Sequence, residues 1–372
     1  MDIVLTMKRL TYRDKTNGMV YSMTDDYSVK EALCRYEEKE EQKEQMTENI
    51  KVVKTHTGKI YVDFDRQLEY LTVGDYGKEN NLKADFLGLT KEINGVQHHE
   101  VDLRDKWVAT ISTQKGCPMA CQFCDCPKYG FHGNASLDDL IHELKVILSN
   151  EEVDHTKRFN LHFARMGEPT WNPAVLNFTK FYLHNLVSQY IRADVIHPVV
   201  STMLPRDNPN LLRFIRNWCF IKNELYGGEA GLQFSINSTN DYQRSPQFGH
   251  RSMTLTEIAK LADTLPMPIG RKYTLNFAIT SKTDLDADVL SDLFDKDKFI
   301  VKLTPIHQTK AAIESGFDVT TSYDDFDVYR SYERPLVAAG WDVIVFVPSR
   351  EEDSDRITCG NALISYEKKE AL

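Results

Sequence analysis

No apolar run in this chain of 372 residues approaches the roughly 20 residues that a membrane-spanning helix needs, so no membrane segment is expected. The opening residues, MDIVLTMKRL, lack the long apolar core and small-residue cleavage site of a secretion signal. Cysteines number seven, an odd count, and they cluster instead of spreading as a disulfide framework does. Free thiols need a reducing compartment, and a cytoplasmic protein is expected. Positive charge is short as well, with 45 Lys and Arg against 55 Asp and Glu and a net charge of −10. Phosphate contacts supply most of the non-specific affinity for nucleic acid, so a chain basic throughout is excluded. Local basic patches are not. Lys106, Lys115, Lys128 and His132 surround the cysteine cluster, and Arg206, Arg213 and Arg216 follow a later strand-like run. Taken singly, each reads as ordinary solvated charge. The 41% apolar content with dispersed Gly and Pro is that of a soluble globular chain, long enough for one large core and a small appendage.

Three of the cysteines, Cys117, Cys121 and Cys124, stand in GCPMACQFCD with the spacing C-x3-C-x2-C. That spacing holds three thiolates close enough for three irons of a [4Fe-4S] cluster and leaves the fourth iron without a protein ligand. Four-cysteine clusters are closed electron carriers, whereas an open iron can chelate a substrate. The spacing resembles that of the radical S-adenosylmethionine (radical SAM) enzymes. The resemblance implies that the open iron holds the amino-acid end of S-adenosylmethionine, which one electron splits into methionine and a 5′-deoxyadenosyl radical. A structural zinc site is the competing reading. Such sites pair two C-x2-4-C or Cys/His halves, and no second half lies nearby.

Texture changes along the chain. In residues 1–50, Val29, Ala32, Leu33 and Tyr36 fall at helical spacing, and EEKEEQKEQ then runs on without an apolar face. This segment is expected to be a charged helical appendage. Residues 51–105 alternate in short runs broken by Gly, Asn and Asp, which predicts a small antiparallel β region. From 106 to 350 strand-like and helix-like runs alternate. The strands are WVATI at 107, RFNLHF at 158, DVIHPVVS at 194, GLQFSI at 231, KYTLNFAI at 272, FIVKLTP at 299 and WDVIVFV at 341. Repeated βα units argue for a parallel sheet with right-handed crossovers. The expected fold class is therefore α/β, a partial (β/α)6-type barrel with chemistry at the carboxyl ends of its strands. Residues 351–372 form a carboxyl-terminal loop carrying Cys359. The charged stretch SREEDSDR before it and the Gly after it predict an exposed, mobile loop.

Two further signals fall where such a barrel places chemistry. ARMGEPTWNP puts Gly167 and Glu168 at the end of the second strand, where Gly permits close backbone approach and a carboxylate can accept from an ammonium group. Most Gly-Glu-Pro tripeptides are only turns, but this one follows one strand behind the cysteine loop. RITCGNAL carries Cys359 after the last strand; a cysteine near a terminus is commonly inert packing.

Together these segments resemble the RlmN/Cfr family of radical SAM RNA methyltransferases. STQKGCPMACQFCDCPKYGF is similar to that family's cluster loop, and MGEP matches its motif. VVSTMLP (Ser201, Thr202) resembles its STSG strand end, and FSINSTND (Ser235, Asn237, Asn240, Asp241) its SLHAPND. LTPIH, ending at His307, stands in the place of its IPWN, and Cys359-Gly360 in that of its methyl-carrying cysteine. The resemblance covers residues 80–365, with the motifs in family order. It implies a [4Fe-4S] cluster on Cys117, Cys121 and Cys124, and S-adenosylmethionine held by Gly167, Glu168, Ser201, Ser235, Asn237 and His307. It also implies methylation of a ring carbon of adenine in ribosomal or transfer RNA, with electrons from a donor such as flavodoxin or ferredoxin. In the implied mechanism Cys359 is first methylated as a thiolate nucleophile, and its S-methyl group then supplies the carbon.

Two departures bear on this. The family's second cysteine lies seven residues before the first cluster cysteine, and that place here is Thr110, which cannot form a disulfide; Cys126 is a candidate substitute. The family's proton acceptor falls near 97–100, where Glu100 is the candidate. The amino-terminal region does not show the family's helical RNA-binding module. A radical SAM enzyme modifying a peptide, protein or small molecule, and a degenerate RNA-binding homologue, are the alternatives.

The spacing generates a direct test. Anaerobically reconstituted protein is expected to be brown with about one four-iron cluster per chain, and Cys117→Ala, Cys121→Ala or Cys124→Ala to abolish release of 5′-deoxyadenosine. Tightly bound zinc with no iron would overturn the reading.

Overall fold

The computed structural model describes residues 2–6, 9–13, 20–22, 49–73, 103–319, 326–348 and 350–366. Two compact units divide the chain after Glu48. In the first, β1 (Asp2–Thr6), β2 (Arg9–Arg13) and β3 (Val20–Ser22) form an antiparallel sheet in chain order. The helical pattern expected at Val29–Tyr36 and the charge run after it lie outside the described residues.

The second unit is built on one ten-stranded sheet. It opens with the antiparallel strands β4 (Ile50–Lys54), β5 (Gly58–Asp63) and β6 (Leu68–Val73). β6 pairs antiparallel with β7 (Trp107–Ile111), so the expected small antiparallel region runs straight on into the main sheet. A ribbon of β8 (Gln114–Gly116) and β9 (Phe131–Asn134) then brackets the cysteine loop. The parallel part continues from β7 through β10 (His155–Phe163), β11 (Arg192–Thr202), β12 (Gly231–Ser235), β13 (Tyr273–Ile279), β14 (Phe299–Pro305) and β15 (Val343–Val345), each beside the next. Six crossovers thus join seven parallel strands, as the repeated βα pattern predicts. Among the described residues the sheet does not close: β4 and the three-residue β15 are its edges.

Local chemistry sets the helix starts. Ser136 and Asp139 exchange side-chain and backbone hydrogen bonds of 2.9 and 3.0 Å at the start of helix Leu137–Ser149, and Thr254 and Glu257 form the same box at helix Leu255–Asp263. Such caps meet amides that a helix start leaves orphaned. The apolar run 173–187 forms two helices, Ala174–Phe181 and Leu183–Tyr190, which meet at Tyr182. The outer face of the sheet carries the large core side chains. Phe163 packs edge-on against Phe178 and Trp218, and Trp107 meets Phe159 and donates 2.7 Å to the Thr72 hydroxyl. The other face is far more polar. Residues of alternate register from all seven parallel strands line a single cavity, so the sheet curls around it. Among the described residues no helix is long and apolar enough to cross a membrane.

The carboxyl-terminal segment departs from expectation. SREEDSDR forms helix Arg350–Ser354 with Glu352 and Asp353 buried, and the chain beyond it is pinned instead of loose. Asp355 accepts from the Thr57 amide and hydroxyl at 2.9 and 2.7 Å. Arg165 is buried, pairs with the buried Glu69 carboxylate on β6, and donates to the Thr358 and Arg356 carbonyls at 3.2 and 2.9 Å. Glu69 in turn accepts from the Leu363 and Ile364 amides at 3.2 and 2.6 Å.

Removing one member of such a pair strands a buried charge, so Glu69→Ala is expected to lower stability by ~3–5 kcal/mol. It should also free the segment around Cys359, seen as new proteolytic cleavage between 356 and 366 under native conditions. An unchanged cleavage pattern would show that the pair does not anchor the tail.

Candidate active site

The cysteine loop leaves β8 at Gly116, whose φ is +78°. A Cβ there would meet the Gly130 carbonyl oxygen at 1.8 Å, and that same oxygen accepts from the Cys117 amide at 3.0 Å. Only glycine lets the loop close this tightly. Beyond it the loop is held at several points. Arg251 donates 2.6 Å to the Pro118 carbonyl, and Thr309 and Ser315 each donate 2.9 Å, to the Phe123 and Gln122 carbonyls. Asp125 ties three segments together: its amide donates to Gly360 O, and its carboxylate accepts from the Ala311 amide and the Tyr366 hydroxyl, all at 2.8 Å.

Cys117, Cys121 and Cys124 line the cavity, whose volume is about 1420 Å³. Among the described residues no group of three His, Cys, Asp or Glu side chains is preformed around a single metal ion. The thiols nevertheless act on one another. Burial pushes Cys121 well above the ordinary thiol range, and the neighbouring Cys124 and Cys117 add to it. Three thiols lining one cavity and acting on one another are the donor set that a four-iron cluster with one open iron would take.

Gly167 has φ +99°, and a Cβ would fall 2.6–2.8 Å from Gln114 and Thr113 atoms. The absence of a side chain lets MGEP pack against the strand that precedes the cysteines. There the Gln114 amide oxygen accepts from the Glu168 amide at 2.8 Å. The Glu168 carboxylate is buried and accepts from the Thr170 amide and hydroxyl at 3.1 and 2.7 Å and from the Met203 amide at 3.0 Å. Burial pushes its pKa up, above the usual carboxylate range, despite these donors.

The later strand ends deliver Ser201, Ser235, Asn237 and His307 to the same cavity. Ser201 accepts 3.1 Å from Gln233. Asn237 sits at φ +62°, its amide oxygen accepting 3.1 Å from the Ala278 amide. His307 also faces inward, but its Nδ1 lies 3.1 Å from Asp353. Burial opposes the Asp353 charge, yet His307, the Gln308 amide and the Thr358 hydroxyl together hold its carboxyl below the usual range. His307 therefore also ties a strand end to the tail.

Cys359 reaches this cavity with its sulfur 3.7 Å from the Ala164 carbonyl. Its side chain is exposed, as the sequence predicts, on the wall of the cavity. Burial and Cys124 push its thiol up to about 11, while Arg165 and Lys302 pull it down. Thr110 lines the cavity as well. So does Cys126, whose buried thiol donates 3.2 Å to the Arg165 carbonyl. Glu100 lies outside the described residues. Sequence reasoning missed Arg165 and Asp125, which stand beside recognised motifs but whose partners are distant in the chain.

Gly167→Ala is expected to cost ~1–3 kcal/mol, the range for a residue forced into sparsely populated backbone space, measured by urea unfolding. A stability change within error would show that the MGEP turn relaxes freely.

No protein-family model matches the chain. Curated relatives do. The chain is 24% identical over 259 residues to a probable dual-specificity RNA methyltransferase RlmN of Petrotoga mobilis, covering 60% of this chain and 65% of the relative. It is 36% identical over 180 residues to one of Koribacter versatilis, covering 47% of each. With the dual-specificity RNA methyltransferase RlmN of Sulfurovum sp. the identity is 32% over 79 residues, 20% of this chain and 22% of the relative. The chain thus spans less than two thirds of the length of each of these relatives. Among solved structures, a radical SAM methyltransferase from Sphaerobacter thermophilus superimposes with a TM-score of 0.55 at 18% identity, covering 85% of this chain and 82% of that one. The chain has the fold of a radical SAM methyltransferase and is similar in sequence, as a divergent relative, to enzymes named RlmN.

Proposed function

We propose that this chain is a cytoplasmic radical SAM methyltransferase that methylates a ring carbon of adenine in ribosomal or transfer RNA through a methyl group carried on Cys359. One observation supports it above the others. Cys117, Cys121 and Cys124, the Gly167-Glu168 turn and the distant Cys359 converge on one cavity, and the tail is held there by Arg165 and Asp125. The names of the sequence relatives support the RNA substrate.

In this reading Cys117, Cys121 and Cys124 hold the cluster, which when bound supplies the electron that cleaves S-adenosylmethionine. Thr170, Met203 and Thr202 orient the Glu168 carboxylate at the cavity wall, where it is proposed to accept from the cofactor's ammonium group. Ser201, Ser235 and Asn237 supply neighbouring polar contacts from the strand ends, and His307 holds the rim through Asp353. Cys359 accepts the methyl group as a thiolate. Thr110 lines the cavity without a thiol, so release of product passes to another group, and Cys126 is the thiol at hand. Glu100 is the proposed proton acceptor, and a reductant such as flavodoxin or ferredoxin the proposed electron donor. A small-molecule substrate is a second reading, favoured by the depth and polarity of the cavity.

Cys359 should be partly S-methylated in protein isolated from cells, seen as a methyl increment on its peptide. Cys359→Ala is expected to keep slow cleavage of S-adenosylmethionine and lose methyl transfer entirely. If the peptide never carries the increment and the variant still methylates, the thiol route does not operate.

A further inference from the structure

Below the cysteine and Glu168 layer the cavity continues between the strands, and its walls there are cationic. Lys106 precedes β7, Arg158 lies on β10, Arg271 precedes β13 and Lys302 lies on β14; all four line the cavity. Four side chains from four segments of the sheet therefore aim positive charge into one space. They are near enough to oppose one another. Burial pushes Lys106 down to about 7, and Arg158, Lys302 and Arg271 add to the shift. Burial likewise takes Lys302 to about 8, with Arg271 contributing, although Cys359 acts the other way. Lys272 and Arg330 line the same cavity, and four carboxylates stand against these cations on its wall: Glu229, 3.1 Å from Arg158, Asp342, 2.7 Å from Lys272, Glu333, and the buried Glu352. Six cations against four carboxylates leave a formal excess of two positive charges.

A second observation comes from uncharged chemistry. Asn276 on β13 is 9% exposed, lines the same cavity and pairs in register with Lys302. Its side-chain oxygen is buried with no hydrogen-bond partner. Buried acceptors are rarely left unmet, and one beside a lysine in an open cavity points to a donor on a ligand. Space is available: about 1420 Å³ exceeds the roughly 300–1,000 Å³ of a typical small-molecule site, so a cofactor at the strand ends leaves the floor open.

We propose that the floor of the cavity binds a phosphate monoester carried by a nucleotide-sized molecule, with Lys106, Arg158, Arg271 and Lys302 around the phosphate and Asn276 accepting from a hydroxyl or amino group beside it. A phosphate monoester carries about −1.5 to −2 at neutral pH, which matches the local excess; a carboxylate or an internal phosphodiester carries only one negative charge. The guanidinium groups of Arg158 and Arg271 suit the paired oxygens of such a group. The site sits below Cys359 and stands whether or not the mouth of the cavity receives RNA.

The test is calorimetry on the anaerobically purified full chain with adenosine 5′-monophosphate and with adenosine. The monophosphate is expected to bind at least tenfold more tightly, and Lys302→Met, which removes a buried charge at similar volume, to erase that preference. Equal affinities for the two ligands in the unaltered chain would overturn the proposal. Should Lys302→Met fail to fold, the unaltered chain gives a second reading. Inorganic phosphate should raise its melting temperature above that in chloride at matched ionic strength, because a ligand that binds only the folded state stabilises it. No difference between the two salts would mean that the cations merely plug the barrel floor, and would overturn the proposal as well.

Discussion

Arg165 and Glu69 face each other with almost no access to water, and a charge pair so placed is stable only if its remaining donors and acceptors are also met. Here the carboxyl-terminal segment meets them. Thr358 and Arg356 supply carbonyls to the guanidinium, and Leu363 and Ile364 supply amides to the carboxylate. With the tail undocked, both ions would be buried and only partly satisfied. Docking of the tail and satisfaction of the buried charge on β6 are therefore coupled. Arg165 lies just before Met166 and Gly167, so the turn that carries Glu168 is fixed from the same point.

Asp125 makes the corresponding link from the cysteine loop. Its amide and carboxylate reach Gly360, Tyr366 and Ala311, which joins the residue after Cys124 to the residue after Cys359. The cysteine loop and the tail are thus joined directly by hydrogen bonds of 2.8 Å. This explains why a tail rich in charge is ordered: Glu352 and Asp353 are buried, and Asp353 is held by His307, the Gln308 amide and Thr358.

The parallel strands were legible because strands covered by helices read as short β-rich runs between helical periods, and the chain order of the sheet follows from short crossovers. The cysteine loop and MGEP were expected at strand ends, and both line the cavity there. Less could be read where partners are remote. SREEDSDR has the composition of a solvated loop, and nothing local shows that Asp353 would meet His307. Glu69 sits in LEYLTV, where a single acid in a strand reads as a solvent-facing residue, and its partner Arg165 is contributed by another strand end. The antiparallel strands β4 to β6 were visible, but their continuity with β7 rests on pairing that sequence periodicity does not specify.

The cavity is divided by how its walls are fixed. At the strand ends the functional groups are held through backbone: Gly116 against Gly130, Gly167 against Gln114, Glu168 on the Met203 amide, Asp125 on Gly360. Such contacts tolerate little change, because each replaces a hydrogen bond that a buried amide must make somewhere. Lower in the cavity the groups are side chains of alternate strand positions, Asn160, His162, Gln233, Asn276 and Lys302, and any of them can be exchanged without moving the sheet, since register and outer packing are set by the opposite face. The rim is therefore set by backbone contacts, while the lumen is set by side chains of alternate strand positions. In this chain the lumen sets several cations near the unmet side-chain oxygen of Asn276, where an apolar interior makes every polar contact count.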